Sequence, residues 1–233
     1  MLQAALNGDR TRDEHPAVPL SAAELARDAA ACVAASAGAI HLHPRDAESR
    51  ESAAPDVVNG VVEAVKAVCG VPVGVTTVAW IEPDLERRLA LIAGWTAPDH
   101  SSVNVSEEGS ADVMRALLEA GVGIEAGVWS VQDAERLAAS GLAARVTRVL
   151  VEPVEAGEGA LKIVAAIHAA LDAGGVTAPR LQHGDGAATW PLIEDAARRG
   201  LDTRVGLEDT LHDPDGAVTA GNPALIRAAT RFT

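Results

Sequence analysis

Ala39-Ile40-His41-Leu42-His43, then Pro55 to Val68, then Val71-Pro72-Val73-Gly74-Val75-Thr76-Thr77, make up one complete unit of the architecture. The first and third pieces are short apolar runs with β-branched residues and are predicted to be strands. The middle piece carries apolar residues at helical spacing and stops before Gly70, so it is predicted to be a helix. In the first strand one residue separates His41 from His43, and residues i and i+2 of a strand point to the same face. The two imidazoles therefore project side by side and can grip one metal ion. Two polar residues where a strand becomes a loop would show the same spacing, so the pair alone does not define a site.

The same alternation continues in both directions. Strands are predicted at Leu2–Leu6, Ala39–His43, Val71–Thr77, Ser102–Val105, Gly123–Val128, Val146–Glu152, Arg180–His183 and Thr203–Leu207. Helices are predicted from Ser21, where Glu24 completes a capping box, and over Pro55–Val68, Asp84–Ile92 and Ser110–Ala120. Others follow from Ser130, capped toward Asp133, and over Gly159–Ala173, Thr189–Arg199 and Asn222–Arg231. Eight strand–helix units in 233 residues predict an α/β protein, a (β/α)8 TIM barrel forming one domain over residues 1–233. An open doubly wound sheet usually has fewer strands and a glycine fingerprint after strand one, and no GxGxxG is present.

Composition narrows the function. Hydrophobic residues make up 48% of the chain and aromatics 2%, so the core must be built from Ala, Val, Leu and Ile. A net charge of −14 argues against a nucleic-acid surface or an anionic membrane, though not against an anionic small molecule in a local basic pocket. Cys32 and Cys69 lie in separate predicted helices without CxxC spacing and are expected to be buried free thiols. No secretory h-region opens the chain and no apolar stretch reaches membrane-span length, so a cytoplasmic protein is expected. A small barrel of this type is also expected to form a homo-oligomer through its outer helices.

In a (β/α)8 barrel the functional face is formed by the C-terminal ends of the strands. Here those ends are Asn7-Gly8-Asp9-Arg10, His41-x-His43-x-Arg45, Thr76-Thr77, Asn104-x-Ser106-Glu107, Glu125, Glu152, His183-Gly184-Asp185-Gly186 and Glu208-Asp209. Catalytic zinc takes about three protein ligands and keeps one position open. His41 and His43 supply two, and Glu208 is the best candidate for a third, because strand eight closes the barrel beside strand one. Imidazole ligands favour Zn²⁺ over Mg²⁺. The plainer reading of Glu208 is a rim ion pair with Arg204 or Arg45. Asp209 is free to act as a base or to pair with an arginine. Arg204 shares a strand face with Glu208, and a buried arginine needs a carboxylate partner. The segment His183-Gly184-Asp185-Gly186 precedes a helix, so its backbone amides could receive an anion, or it could be only a tight turn. Trp80, Trp129 and Trp190 follow strands three, five and seven and could wall the pocket, though core or rim packing is the plainer expectation. His15 and His212 are expected to be exposed loop histidines, and His168 a structural one.

Together, Asn7-Gly8, Pro16-x-x-Pro19-x-Ser21, Ala37-Gly38-Ala39-Ile40-His41-Leu42-His43-x-Arg45, Asn104 and Arg204-Val205-Gly206-Leu207-Glu208-Asp209 resemble the β-keto acid cleavage enzymes over nearly the whole chain. The resemblance implies a zinc site built from His41, His43 and Glu208. It implies acyl exchange between a β-keto acid and acetyl-CoA, giving acetoacetate and a new acyl-CoA. Asp209, oriented by Arg204, would be the base, while Thr76 and Ser102 would hydrogen-bond the substrate. Arg10, Asn104 and Glu125 complete the substrate-binding candidates, and His183, Gly184 and Gly186 are the candidates for contact with the CoA thioester. The chain departs from the family by being shorter. It also has Glu152-Pro153-Val154-Glu155 where a glycine-rich loop is usual, and its register near Asp9 and Arg10 is open. Two other readings stand beside this one. A metal-dependent hydrolase of amidohydrolase type would need further histidines on strands five and six. A barrel that binds metal and a small acid without turnover would not.

Overall fold

The computed structural model describes residues 1–153 and 159–232. Val154 and Glu155 of the segment after strand six lie outside the described residues. The strands are β1 (Leu2–Ala5), β2 (Ala39–Leu42), β3 (Val73–Thr76), β4 (His100–Asn104), β5 (Gly123–Val128), β6 (Arg148–Val151), β7 (Arg180–Gln182) and β8 (Asp202–Val205). They alternate with α1 (Ala22–Ala34), α2 (Pro55–Lys66), α3 (Leu85–Ile92), α4 (Ser110–Glu119), α5 (Val131–Ala139), α6 (Ala160–Ala173), α7 (Thr189–Arg199) and α8 (Asn222–Ala229). All strand pairs are parallel, and β8 pairs back onto β1 to close the barrel. The eight-unit alternation and the barrel expected from it are both present.

Local sequence explains the helix starts. Ser21 caps α1 with the full capping box to Glu24, Asp84 caps α3, and Ser130 caps α5 by accepting from Asp133 N. One strand boundary differs instructively. β4 begins at His100 rather than Ser102, because two polar residues are absorbed into the sheet. The His100 ring packs over Gly74, and Ser101 Oγ donates to the Val75 carbonyl at 2.8 Å. Periodicity cannot find a strand whose polar side chains are satisfied internally.

The apolar core is a shell between sheet and helices, lined by Ile40, Leu42, Val73, Val75, Ile124 and Val149 among others, all fully buried. Cys32 and Cys69 are buried free thiols, as expected. The lumen of the barrel is polar instead. Gln3 Nε2 donates across it to Glu125 Oε1 at 3.0 Å, and Arg148 Nε lies 3.0 Å from the same oxygen. Glycine is required at two close approaches nearby. A Cβ at Gly74 would sit 2.2 Å from the His100 ring, and one at Gly206 would sit 1.7 Å from the Ala5 carbonyl oxygen.

The β1–β8 seam is closed by Asn222 at the start of α8. Its Oδ1 accepts from Leu207 N at 2.6 Å, while Nδ2 donates to Leu6 O at 2.7 Å and to Asp28 Oδ2 at 2.6 Å. One buried amide thus joins the exits of the first and last strands to α1. Gly74→Ala is expected to cost about 1–3 kcal/mol, the usual penalty for overpacking a filled interior. Urea unfolding followed by circular dichroism measures it.

Candidate metal centre at the strand ends

His41 lies within β2 and His43 just past its end, and alternation sends both rings into the barrel mouth. Their centroids are 5.5 Å apart with ring planes at 76°. Glu208 arrives in the turn after β8. Its Oε1 lies 3.7 Å from His41 Nε2 and 3.6 Å from His43 Nε2. One candidate ligand atom from each of the three residues falls within 4.8 Å of the others.

The surrounding groups leave the right atoms free. His43 Nδ1 sits 2.5 Å from Glu51 Oε1, so Nε2 is the nitrogen left for a metal. Glu208 Oε2 is buried and has no hydrogen-bond partner among the described residues. An orphaned carboxylate oxygen beside two imidazole nitrogens suits a borderline divalent cation.

The Asn7-Gly8 pair supports both sides of this group. Asn7 Nδ2 donates to His43 O and its Oδ1 accepts from His43 N, both at 2.9 Å. Gly8 has φ +52°, and a Cβ there would meet Glu208 Cγ at 2.6 Å, so glycine alone fits against the Glu208 stem. Arg45 donates to the carbonyls of Gly8 at 2.7 Å, Arg10 at 3.0 Å and Ser49 at 3.0 Å. It clamps the loop after β1 and does not pair with Glu208.

Arg204 is the central cation. Nη2 donates to Glu208 Oε1 at 2.8 Å and to Asp209 Oδ1 at 2.7 Å, and Nε donates to Asp209 Oδ1 at 3.2 Å. Burial works to raise the Glu208 carboxyl, but Arg204 and the two histidines outweigh it and hold that group well below the usual range. Burial pushes Asp209 up to about 7, with Arg204 opposing and the Glu208 charge adding. That is close to the value wanted of a general base at neutral pH. Burial takes His41 well below the ordinary imidazole value. At His43 burial pulls the same way, but Glu208 and Glu51 reverse it and raise the group to about 9.

His183 is fully buried on the far side of Asp209. Its Nδ1 is 3.8 Å from Asp209 Oδ1 and its Nε2 is 3.5 Å from Glu152 Oε2. Neither ring nitrogen has a hydrogen-bond partner among the described residues. Burial raises Glu152 to about 7.

The remaining candidates fall into two groups. Thr76 pairs with Ser102 across β3 and β4, placing two hydroxyls side by side near the mouth. Arg10 is half-buried while Asp9 is exposed; the Arg10 guanidinium bonds Glu14 at 2.8 Å and reaches to 3.8 Å from Asp185, after β7. Asn104 Nδ2 donates to Glu107 Oε1 at 2.8 Å. Glu125 is not at the mouth: it is fully buried in the lumen with Gln3, His100 and Arg148. Gly184 is buried, and Gly186 N–H donates to the Asp209 carbonyl at 2.7 Å, so that amide is not free for an anion. His15 is buried with Nε2 3.0 Å from Thr219 O, which corrects the expectation of an exposed loop histidine. Glu51 was missed by sequence reasoning. It lies in a charged loop eight positions after His43, and the Arg45–Glu51 bridge, with Ser52 N–H donating to the Pro44 carbonyl at 2.9 Å, folds it back.

A closed parallel (β/α)8 barrel with a His-His-Glu group that could hold a metal at its strand ends defines the class. The family model for beta-keto acid cleavage enzymes matches residues 1–233, and the chain belongs to that family. Among solved structures, the apo structure of ObcA superimposes with a TM-score of 0.72 at 16% identity, covering 93% of this chain. This chain spans 61% of the ObcA chain. The 3-dehydroquinate dehydratase from Aquifex aeolicus VF5 matches with a TM-score of 0.60 at 12% identity, over 100% of this chain and 99% of that one. The N-acetylmannosamine-6-phosphate 2-epimerase from Clostridium perfringens gives 0.59 at 14% identity, over 90% and 87%. At these identities the likeness is one of fold. No helix among the described residues is long and apolar enough to cross a membrane.

Arg204→Met would leave Glu208 and Asp209 without their cation. In chelator-treated protein it is expected to cost about 3–5 kcal/mol, as when one partner of a buried ion pair is removed. Chemical denaturation of the metal-free variant and wild type reads the difference.

Proposed function

We propose that this member of the family is a zinc-dependent acyltransferase exchanging acyl groups between a β-keto acid and acetyl-CoA. The observation that carries the reading is the adjacency of two ready-made parts. His41, His43 and Glu208 leave metal-binding atoms free, and Arg204 holds Asp209 beside them. Zinc bound by these three residues supplies Lewis acidity toward the carboxylate and keto oxygens of the substrate.

The protein's own groups do the rest. Thr76 and Ser102 orient the keto acid by hydrogen bonds. Asp209, fixed by Arg204, removes a proton from C2. The C2 carbanion attacks the thioester carbon of acetyl-CoA and expels CoA thiolate. The thiolate adds to the original keto carbon, and the bond from that carbon to C2 breaks. Asp209 returns its proton to C2, leaving acetoacetate and the new acyl-CoA. Arg10 at the rim favours a neutral or acidic keto acid over an amine-bearing one. A cytoplasmic setting and pairing of copies through the outer helices belong to the same reading.

A second reading is favoured by one contact. Because Gly186 N–H is engaged by Asp209 O, the loop after β7 offers fewer amides to a CoA phosphate. A barrel that binds metal and a small acid without turnover follows if CoA has no seat. The amidohydrolase alternative loses support, since β5 and β6 run out into Trp129 and Glu152, not histidine.

Zinc-replete protein given a panel of β-keto acids and acetyl-CoA is expected to form acetoacetate, and His41→Ala to lose at least a hundredfold (roughly 2.7 kcal/mol of transition-state stabilisation). Chromatography of the CoA esters checks this; bound zinc without product across the panel would favour the binding protein. Arg10→Glu is expected to shift kcat/KM toward amino-substituted keto acids. An unchanged substrate profile would remove Arg10 from the specificity argument.

A further inference from the structure

Trp80 is more than half exposed, at 57%, in the loop between β3 and α3. An exposed tryptophan normally has rotational freedom, yet this one is held. Its indole Nε1 donates to Glu51 Oε2 at 3.0 Å. The other oxygen of the same carboxylate, Oε1, is the one facing His43 Nδ1 at 2.5 Å. Glu51 therefore has both oxygens committed, one to an indole and one to the imidazole whose opposite nitrogen faces Glu208.

The loop is anchored from the other side as well. Ala79 N donates to Glu107 Oε2 at 3.1 Å, and Glu107 is fixed by Asn104 Nδ2 at 2.8 Å and by Arg88 Nη1 at 3.3 Å. Two carboxylates, Glu51 and Glu107, thus stitch together the loops after β2, β3 and β4. Nothing in the apolar core needs this arrangement, since the Trp80 ring contributes little burial.

We infer that Trp80 is a positioning residue for the metal centre, acting through Glu51 to fix the ring of His43. This rests on the metal-site reading of His41, His43 and Glu208. A carboxylate with one free oxygen can swing in its plane and carry its histidine partner with it. Anchoring the second oxygen to an indole N–H removes that freedom, so His43 Nε2 stays aimed at the metal position. The same hydrogen bond makes the Trp80 indole sensitive to events at His43.

Zinc titration of the metal-stripped protein, followed by calorimetry and by intrinsic fluorescence, tests the inference. Removing a carboxylate that orients a ligating histidine typically weakens metal binding 10–100-fold, so Glu51→Gln is expected to lie in that range and Trp80→Phe at about three- to tenfold. In the Glu51→Gln background, Trp80→Phe is expected to add no further loss, because the carboxylate through which it acts is gone. The zinc-dependent change in emission should vanish in Trp80→Phe and persist in the Trp190→Phe variant, which removes an indole that bonds the His212 carbonyl and not Glu51. The melting temperature of metal-free Trp80→Phe should equal that of the wild type. Wild-type zinc affinity in Trp80→Phe overturns the inference while leaving the metal site intact. So does a loss of equal size in both backgrounds, or a loss matched by a fall in metal-free melting temperature. A wild-type chain that binds no zinc removes the metal-site reading itself, and the inference with it.

Discussion

Arg204 has almost no access to water, and its guanidinium is shared by the carboxylates of Glu208 and Asp209 with the charge of Glu152 nearby. Desolvating a lone cation costs several kcal/mol, and desolvating neighbouring carboxylates without a cation would drive them to protonate. Each is tolerable only because of the other. Arg204 helps hold the Glu208 carboxyl well below the usual range, as suits a metal ligand, while burial, opposed by Arg204, raises Asp209 to about 7, as suits a proton acceptor. The same residue thereby governs both halves of the proposed chemistry.

That cluster has to be housed, and the housing explains residues that look unremarkable in isolation. Gly206 lets the chain leaving β8 pass against the Ala5 carbonyl, Gly8 accepts the Glu208 stem, and Asn7 holds the His43 backbone through both ends of its amide. Asn222 ties the strand exits on either side of the seam. Around the groups that would meet substrate there is therefore a second layer whose task is orientation, which is how a site keeps its geometry while its loops face solvent.

Much of this was legible beforehand. The apolar alternation that marks the strands is the same burial that forms the shell between sheet and helices. His41, His43, Glu208, Arg204 and Asp209 could be nominated because a barrel fixes which end of each strand matters. Glu51, Trp80, His100 and the inward-facing Glu125 could not be read the same way. Their roles come from contacts between distant segments, such as Gln3 with Glu125, or from a loop folding back on itself, as at Arg45 and Glu51. Polar side chains satisfied inside a lumen carry no periodic signature, and so Glu125 resembled a strand-end site residue when it is part of an interior network.

The candidate ligands come from distant parts of the chain: His41 in β2, His43 just past its end, and Glu208 in the turn after the strand that closes the barrel. A nascent polypeptide leaving the ribosome would display both histidines long before Glu208 exists. At that stage it could offer a cation only a loose, two-point grip. A complete three-residue site would have to wait until β8 has docked on β1, so a metal held as proposed would be gripped fully only at the end of folding. A copy in which β8 had not docked would leave the candidate site without its third carboxylate and would hold any cation less tightly. On the proposed function, the order of the strands would make metal binding a test of completed folding.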